Sequence, residues 1–314
     1  MRRINKLLFR SMAGVTLVEL MVALSIGLFL SIGIVQLFSG NKSSYRMQTA
    51  MSRVQENGRF ALDFLTESIR GADFWGCQPD PENVANNLNN GADGYIDFTA
   101  DGITGLEGGV DPDTLILRGA VGDQDLVPQP PYGPSQRENI FVNVPNTLAV
   151  SDILLISDCV QGDIFQISSG NPSISGTVVH NSGAGSPGNN SDDLSKIYRE
   201  EARIFSIAET RWFIQPNEFG EPSLWRSVNG VDTEMVEGIE DFQILYGVNL
   251  DPDVDSSVDA FIDADLVADM QTVVSLRVSV TVRSDDNVSL NDTRSDRRIR
   301  RTFDKTIAIR NRLP

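Results

Sequence analysis

Glu19 is the residue with the least ordinary surroundings in this sequence. It is the one carboxylate in a long apolar run over residues 11–38, SMAGVTLVELMVALSIGLFLSIGIVQLF. Charge inside hydrocarbon is costly and needs a partner, so an acid kept in such a run implies a task. Four cations, Arg2, Arg3, Lys6 and Arg10, precede the run with no acid among them. That asymmetry holds the N-terminal end in the cytoplasm and directs the long, acidic remainder outward. A secretory signal places its small-residue cleavage site after the apolar part. Here the residues after Phe38 are SGNKSSYRMQ, and the small-residue junction, Ala13-Gly14-Val15, lies ahead of the run instead.

The order of these features, GVTLVELMVAL behind a basic leader, resembles the type IV prepilin signature. The resemblance implies cleavage between Gly14 and Val15 by a prepilin peptidase on the cytoplasmic side, and methylation of the new Val15 amine. Most family members begin the mature chain with Phe; this one has Val15. It also implies a role for Glu19, one helical turn from that amine. In a packed filament its carboxylate meets the amine of a neighbouring subunit and sets the register of insertion, since a buried ion needs good pairing to offset lost hydration. The competing reading is a boundary carboxylate that reaches interfacial water.

Cys77 and Cys159 both lie beyond the apolar segment. In an oxidising bacterial envelope they read as one disulfide, tying the end of the helix to the globular part; two free thiols are the alternative. A catalytic thiol has little support, because the lone histidine, His180, sits in a loop-like stretch.

Other candidate chemistry is sparse. Asp251, Asp253, Asp255, Asp259, Asp263 and Asp265 crowd one segment and suggest calcium. An EF-hand would need glycine at its sixth position and an acid at its twelfth, where this chain has Ser256 and Ile262, so a solvated acidic loop is the preferred reading. Gly183-Ala184-Gly185-Ser186-Pro187-Gly188 matches G-x-G-x-x-G, but Pro187 and the NNSDD that follows cannot open the helix that would hold a pyrophosphate. A basic C-terminal segment, Arg294, Arg297, Arg298, Arg300, Arg301, Lys305, Arg310 and Arg312, either docks on an acidic neighbour or is neutralised within the domain. One histidine and two cysteines make no zinc set, and G-x-S-x-G and P-loop patterns are absent. No catalytic residue, metal ligand or cofactor is nominated, and the chain reads as non-enzymatic. Its net charge of −17, four units more negative without the leader cations, repels nucleic acid.

The elements that must position Glu19 and the cysteines are legible in outline. Proline is absent before Pro79, and from Met47 a helical stripe runs through Ala50, Met51, Val54, Ala61, Phe64, Leu65, Ile69 and Ala72. One helix is predicted from Val15 to Ala72, on the order of 85 Å long. Its first part, residues 15–38, is apolar all round and suits a membrane and sister helices. Its second, residues 39–72, is amphipathic, with Gly58 as a small packing residue. Residues 73–314 form a β-rich ectodomain with long loops at 78–113 and 180–193. Strands are expected at 114–119, 139–144, 152–158, 203–214, 223–228 and 303–310, with a turn at Asn217-Glu218-Phe219-Gly220. Val274, Leu276, Val278, Val280 and Val282 alternate with polar residues, as in an antiparallel strand with one dry face. The expected fold class is α+β and type IV pilin-like: a long N-terminal helix packed on a C-terminal antiparallel sheet.

The C-terminal pattern narrows the resemblance. GEPSLWRSVNG, MVEGIEDFQILYGV and DAFIDADLVADMQTVVSLRVSVTVRSDD look like the C-terminal half of PilW-type minor pilins. Their relatives, the J-type minor pseudopilins of type II secretion, share the E-G-I/V element before the long strand. The resemblance implies an inner-membrane protein with a periplasmic domain that loses residues 1–14. It would join other minor pilins and the major pilin at the inner-membrane assembly platform, prime type IV pilus assembly and stay near the tip at the cell surface. A type II secretion pseudopilin, or a tip adhesin or calcium-binding module, is the alternative.

Overall fold

The computed structural model describes residues 14–77, 83–98, 101–183, 185–251, 257–288 and 296–313. The leader up to Ala13, Asp253, Asp255, Ala184 and Arg294 lie outside the described residues. One helix, α1, runs unbroken over Leu17–Gly71, about 80 Å at the helical rise. It starts where Thr16, in extended conformation, accepts a hydrogen bond from the Glu19 backbone N–H. It stops at Ala72, also extended, and Asp73 turns the chain away at φ 58°.

The buried face of α1 is Ala50, Val54, Gly58, Ala61, Leu65 and Ile69, spaced three or four apart so that they share one side. This stripe is narrower than the sequence suggests: Met51 is exposed and Phe64 only half-buried. At Gly58 the reason for a small residue is direct. A Cβ there would overlap the ring of Phe303, so the missing side chain lets the sheet close on the helix.

Among the described residues fifteen strands follow: β1 (Val84–Asn86), β2 (Ile103–Leu106), β3 (Thr114–Leu126), β4 (Pro128–Gln129), β5 (Ile140–Val142), β6 (Ile153–Ser157), β7 (Gly162–Gln166) and β8 (Thr177–Val178), then β9 (Arg203–Pro216), β10 (Pro222–Val228), β11 (Val231–Glu237), β12 (Ile239–Val248), β13 (Ala260–Ile262), β14 (Val273–Asn287) and β15 (Arg298–Ala308). Among the described residues they make three sheets, where the sequence suggested one. A four-stranded antiparallel sheet, β13-β12-β14-β15, lies under α1. An eight-stranded sheet runs β1-β7-β6-β9-β10-β11, with β3 on the other side of β9 and β2 beyond it. The small sheet β4-β5-β8 covers part of its flank.

The helix face, the dry face of β14 (Leu276, Val278, Val280, Val282), Phe242 and Ile244 of β12, and Trp212 and Leu224 of the larger sheet form one core. The alternation read from 274–282 is therefore a true half-buried strand. β6 is different: all five residues are buried, with Leu154 and Ile156 in one core and Ile153 and Leu155 in another. A strand covered on both faces has no wet side, which is why ILLIS reads as a continuous apolar run. Gly238 joins the two large sheets between β11 and β12 at φ 78°. Its N–H donates to Pro222 O and its carbonyl accepts from Arg283 N–H, both at 2.8 Å. A Cβ at this point would stand 2.9 Å from Arg283 O, so the glycine of the E-G-I element is a steric requirement of the sheet junction.

Residues 180–183 and 185–193 form no helix or strand, as a loop reading expects, but they are pinned to β7. Asn189 is buried and pairs with both backbone groups of Gln166 at 2.7 Å, and the Gln166 side chain donates to Ser151 O and Ser186 O. The composition of this stretch suggested a solvated loop because the stabilising contacts are side chain to backbone and leave no periodic signal.

Candidate functional site

The N-terminal end of α1 is built as a capping box. The Glu19 carboxylate accepts the Thr16 backbone N–H at 2.9 Å and the Thr16 hydroxyl at 3.0 Å, and Thr16 Oγ1 accepts the Glu19 N–H at 3.2 Å. Both bonds to the carboxylate end on Oε2, so Oε1 remains open to a further donor. Gly14 and Val15 precede the cap in non-helical backbone and are exposed. From Leu17 to Phe38 the apolar side chains stand exposed, and α1 is long and apolar enough to cross a membrane. The Thr16 partner was missed in the sequence, although T-x-x-E ahead of an apolar run is a recognisable signal.

At the far end of α1 the chain is locked in place. Asp73 accepts from Trp75 Nε1 at 2.7 Å and from Arg312 Nε at 2.5 Å, with both charged side chains nearly buried. Asn311 Nδ2 donates to Ala72 O at 2.8 Å, so the C-terminal segment clamps the helix end. A few residues later Cys77 and Cys159 form a disulfide with a Cα–Cα distance of 4.7 Å, joining the helix exit to the end of β6. The free-thiol alternative is thereby set aside.

The basic C-terminal segment is largely neutralised within the domain. Glu221 takes both arms of Arg298 at 2.5 and 2.9 Å and Arg283 at 2.6 Å. Glu240 takes Arg300 at 2.5 and 2.9 Å, and Asp296 takes the same guanidinium at 2.6 Å. Hydrogen bonding from Arg298, then Arg283, pulls the Glu221 carboxyl from its ordinary 4.5 down to about 2. This brace crosses from the β9–β10 hairpin to the four-stranded sheet. Arg301 and Lys305 lie on β15, the sheet's edge strand, where charge discourages unplanned strand pairing.

Other candidates resolve differently from their sequence appearance. Asp163 on β7 is fully buried and accepts from Asn87 Nδ2 at 2.8 Å, Ser195 Oγ at 2.8 Å and the Tyr198 hydroxyl at 2.5 Å. Burial pushes its carboxyl up against those bonds. Nothing in GDIFQ flagged it. His180 lies outside any strand or helix, as its loop-like stretch suggests, yet it is buried against Phe165 with Nε2 3.1 Å from Glu138 O, and burial lowers its pKa. The Gly-rich match opens no helix, and its Gly188 N–H already donates to Gln166 Oε1 at 2.9 Å. Asp263 and Asp265 meet Glu107, with carboxylate oxygens within 4.8 Å of one another, a set of hard oxygen donors different from the alternating aspartates of 251–259. Asp259 instead accepts the Leu250 N–H at 2.7 Å.

With this geometry in hand, comparison with known proteins is specific. The family described as PilW, type IV pilus-assembly protein W, matches residues 211–311. That stretch runs from within β9 to the Asn311 clamp and includes Glu221, Gly238 and the whole four-stranded sheet. No curated protein and no solved structure matches the chain. The sheet that packs under α1, its glycine junction and its arginine brace all fall inside the matched stretch, so the part of the chain that resembles the PilW type IV pilus-assembly proteins is the part that seats the helix.

Proposed function

We propose that this protein is a minor pilin that co-assembles with other minor pilins and the major pilin to prime type IV pilus assembly, and stays near the tip. The carrying observation is the exposed apolar half of α1, continuous with an amphipathic half that seats the family-matched sheet. Apolar surface on that scale needs a lipid or helical environment that the chain itself does not supply. In this reading prepilin peptidase cuts between Gly14 and Val15. The C-terminal domain stands in the periplasm, the helix waits in the inner membrane, and the assembly platform draws it into the filament. Glu19 Oε1 then meets the Val15 amine of a neighbouring subunit as the pair leaves lipid. The role is structural and non-catalytic, driven by an ATPase elsewhere.

Mass spectrometry of the protein from envelopes tests the first step. A mature chain beginning at Val15 is expected, with the mass of a methylated amine. A chain still carrying Met1, or cut beyond Phe38, removes the reading. A photo-crosslinker at Leu24 should give adducts with other pilin helices.

A further inference from the structure

Between the last turns of α1 and the larger sheet lies an open cleft of about 1110 Å³. Its floor is the face of β3, β9 and β10 that carries Leu117, Ala208, Trp212 and Val228. Its charged lining is one-sided. Arg70, Arg226 and Arg310 reach it, and none of them has a carboxylate partner among the described residues. Arg118 also lines it but is taken by Glu209 at 2.8 Å, and Glu67 is the one acid at the rim. Two donors on the floor are unsatisfied: the fully buried Trp212 indole N–H and Arg226 Nε, carried by residues directly opposite each other on β9 and β10. A buried donor without an acceptor is costly, so the site is built for a group that brings one.

Unpaired guanidiniums on an apolar floor are unexpected in a chain of net charge −17. An acidic partner is repelled by most of such a surface and drawn to a patch of unpaired cations such as this, which gives both position and selectivity. The volume exceeds the roughly 300–1,000 Å³ of small-molecule sites and suits a chain segment. Phe64 at the cleft is about 40 Å along α1 from Phe38, which places it far from any lipid around the apolar half. We infer that the cleft receives an acidic segment with at least one apolar anchor, presented by the adjoining pilus subunit on the membrane-distal side. This rests on the pilin reading above for the identity of the neighbour, though not for the chemistry.

The test uses the full chain in its own membrane, with a photo-crosslinker at Val121 on the cleft wall. The expected adduct is a second polypeptide whose crosslinked peptide, sequenced by mass spectrometry, is net negative and contains an apolar residue. Arg226→Glu with Arg310→Glu should cut its yield at least tenfold, and the corresponding Lys variants should keep it. Arg70→Glu, at an exposed helix position, should lower it about threefold without touching the fold. The double variant must still show the Cys77–Cys159 mobility shift on non-reducing gels; should it fail, Arg70→Glu alone decides. No adduct, an adduct to lipid, nucleic acid or a basic segment, or a yield indifferent to charge reversal overturns the inference. A parallel crosslinker at Leu24 separates the two ideas. Pilin adducts at Leu24 with none at Val121 sink the cleft alone, and the converse sinks the pilin reading alone.

Discussion

At the scale of single residues, the observed cap at Glu19 and the counter-ion role proposed for it can be separated by substitution. As the third residue of a capping box it can be replaced by glutamine, whose side-chain oxygen also accepts from the cap. As a counter-ion for an amine it cannot. Glu19→Gln should therefore leave the helix intact by circular dichroism and abolish co-assembly, read as loss of the Leu24 crosslinks. Wild-type crosslinking in this variant would reduce Glu19 to a cap. Glu221 gives the second prediction. Its pKa falls from 4.5 to about 2 on folding, chiefly through Arg298. Its stabilisation is thus complete above pH 4.5 and lost as pH falls through about 2. The carboxyl is mostly shielded and its arginine partners more so, so the pair contributes about 2–3 kcal/mol. Glu221→Gln should lower the melting temperature at pH 7 and erase most of the wild-type difference by pH 2. Carboxyls pushed up by burial, such as Asp163, act with the opposite sign and cancel in that comparison.

Among elements, α1 does two jobs with one uninterrupted hydrogen-bond ladder, and Gly58 marks a point where the second depends on tertiary fit. Valine at this position would gain little as a helix former and would drive a branched side chain into Phe303. Gly58→Val should destabilise by about 2 kcal/mol, within the range for overpacking, in a thermal melt of the detergent-solubilised chain. Adding Phe303→Ala should recover part of that loss. If Gly58→Val alone leaves the melt unchanged, the helix does not seat on β15 as described. The apolar half carries no comparable constraint, because a Cβ at Gly27 or Gly33 meets nothing within the chain.

For the whole molecule, the Cys77–Cys159 bond closes a loop of 82 residues that contains β1 to β6. Chain entropy assigns such a closure roughly 4–5 kcal/mol. Replacing both cysteines by serine should shift the urea midpoint down by a matching amount, and an unshifted midpoint would show that the strands between them hold without it. The effect should fall mainly on the two cores around β6 and less on the helix-bearing core, which is clamped separately by Asp73–Arg312 and Asn311.

Sequence alone determined what periodicity and local chemistry can encode. A 55-residue helix follows from apolar spacing and the lack of proline, and β14 follows from strict alternation. The family-matched stretch is a local string, so it too was legible. Tertiary structure alone decided how residues far apart in the chain meet. The division of strands among three sheets, the burial of His180 and Asn189, the Asp163 network and the pairing of Arg298 with Glu221 come from contacts across tens of residues, which leave no period to read. For the same reason the unpaired arginines of the cleft looked in sequence like any other surface cations. Charge in a sequence has a sign but no neighbours, and only the fold supplies or withholds them.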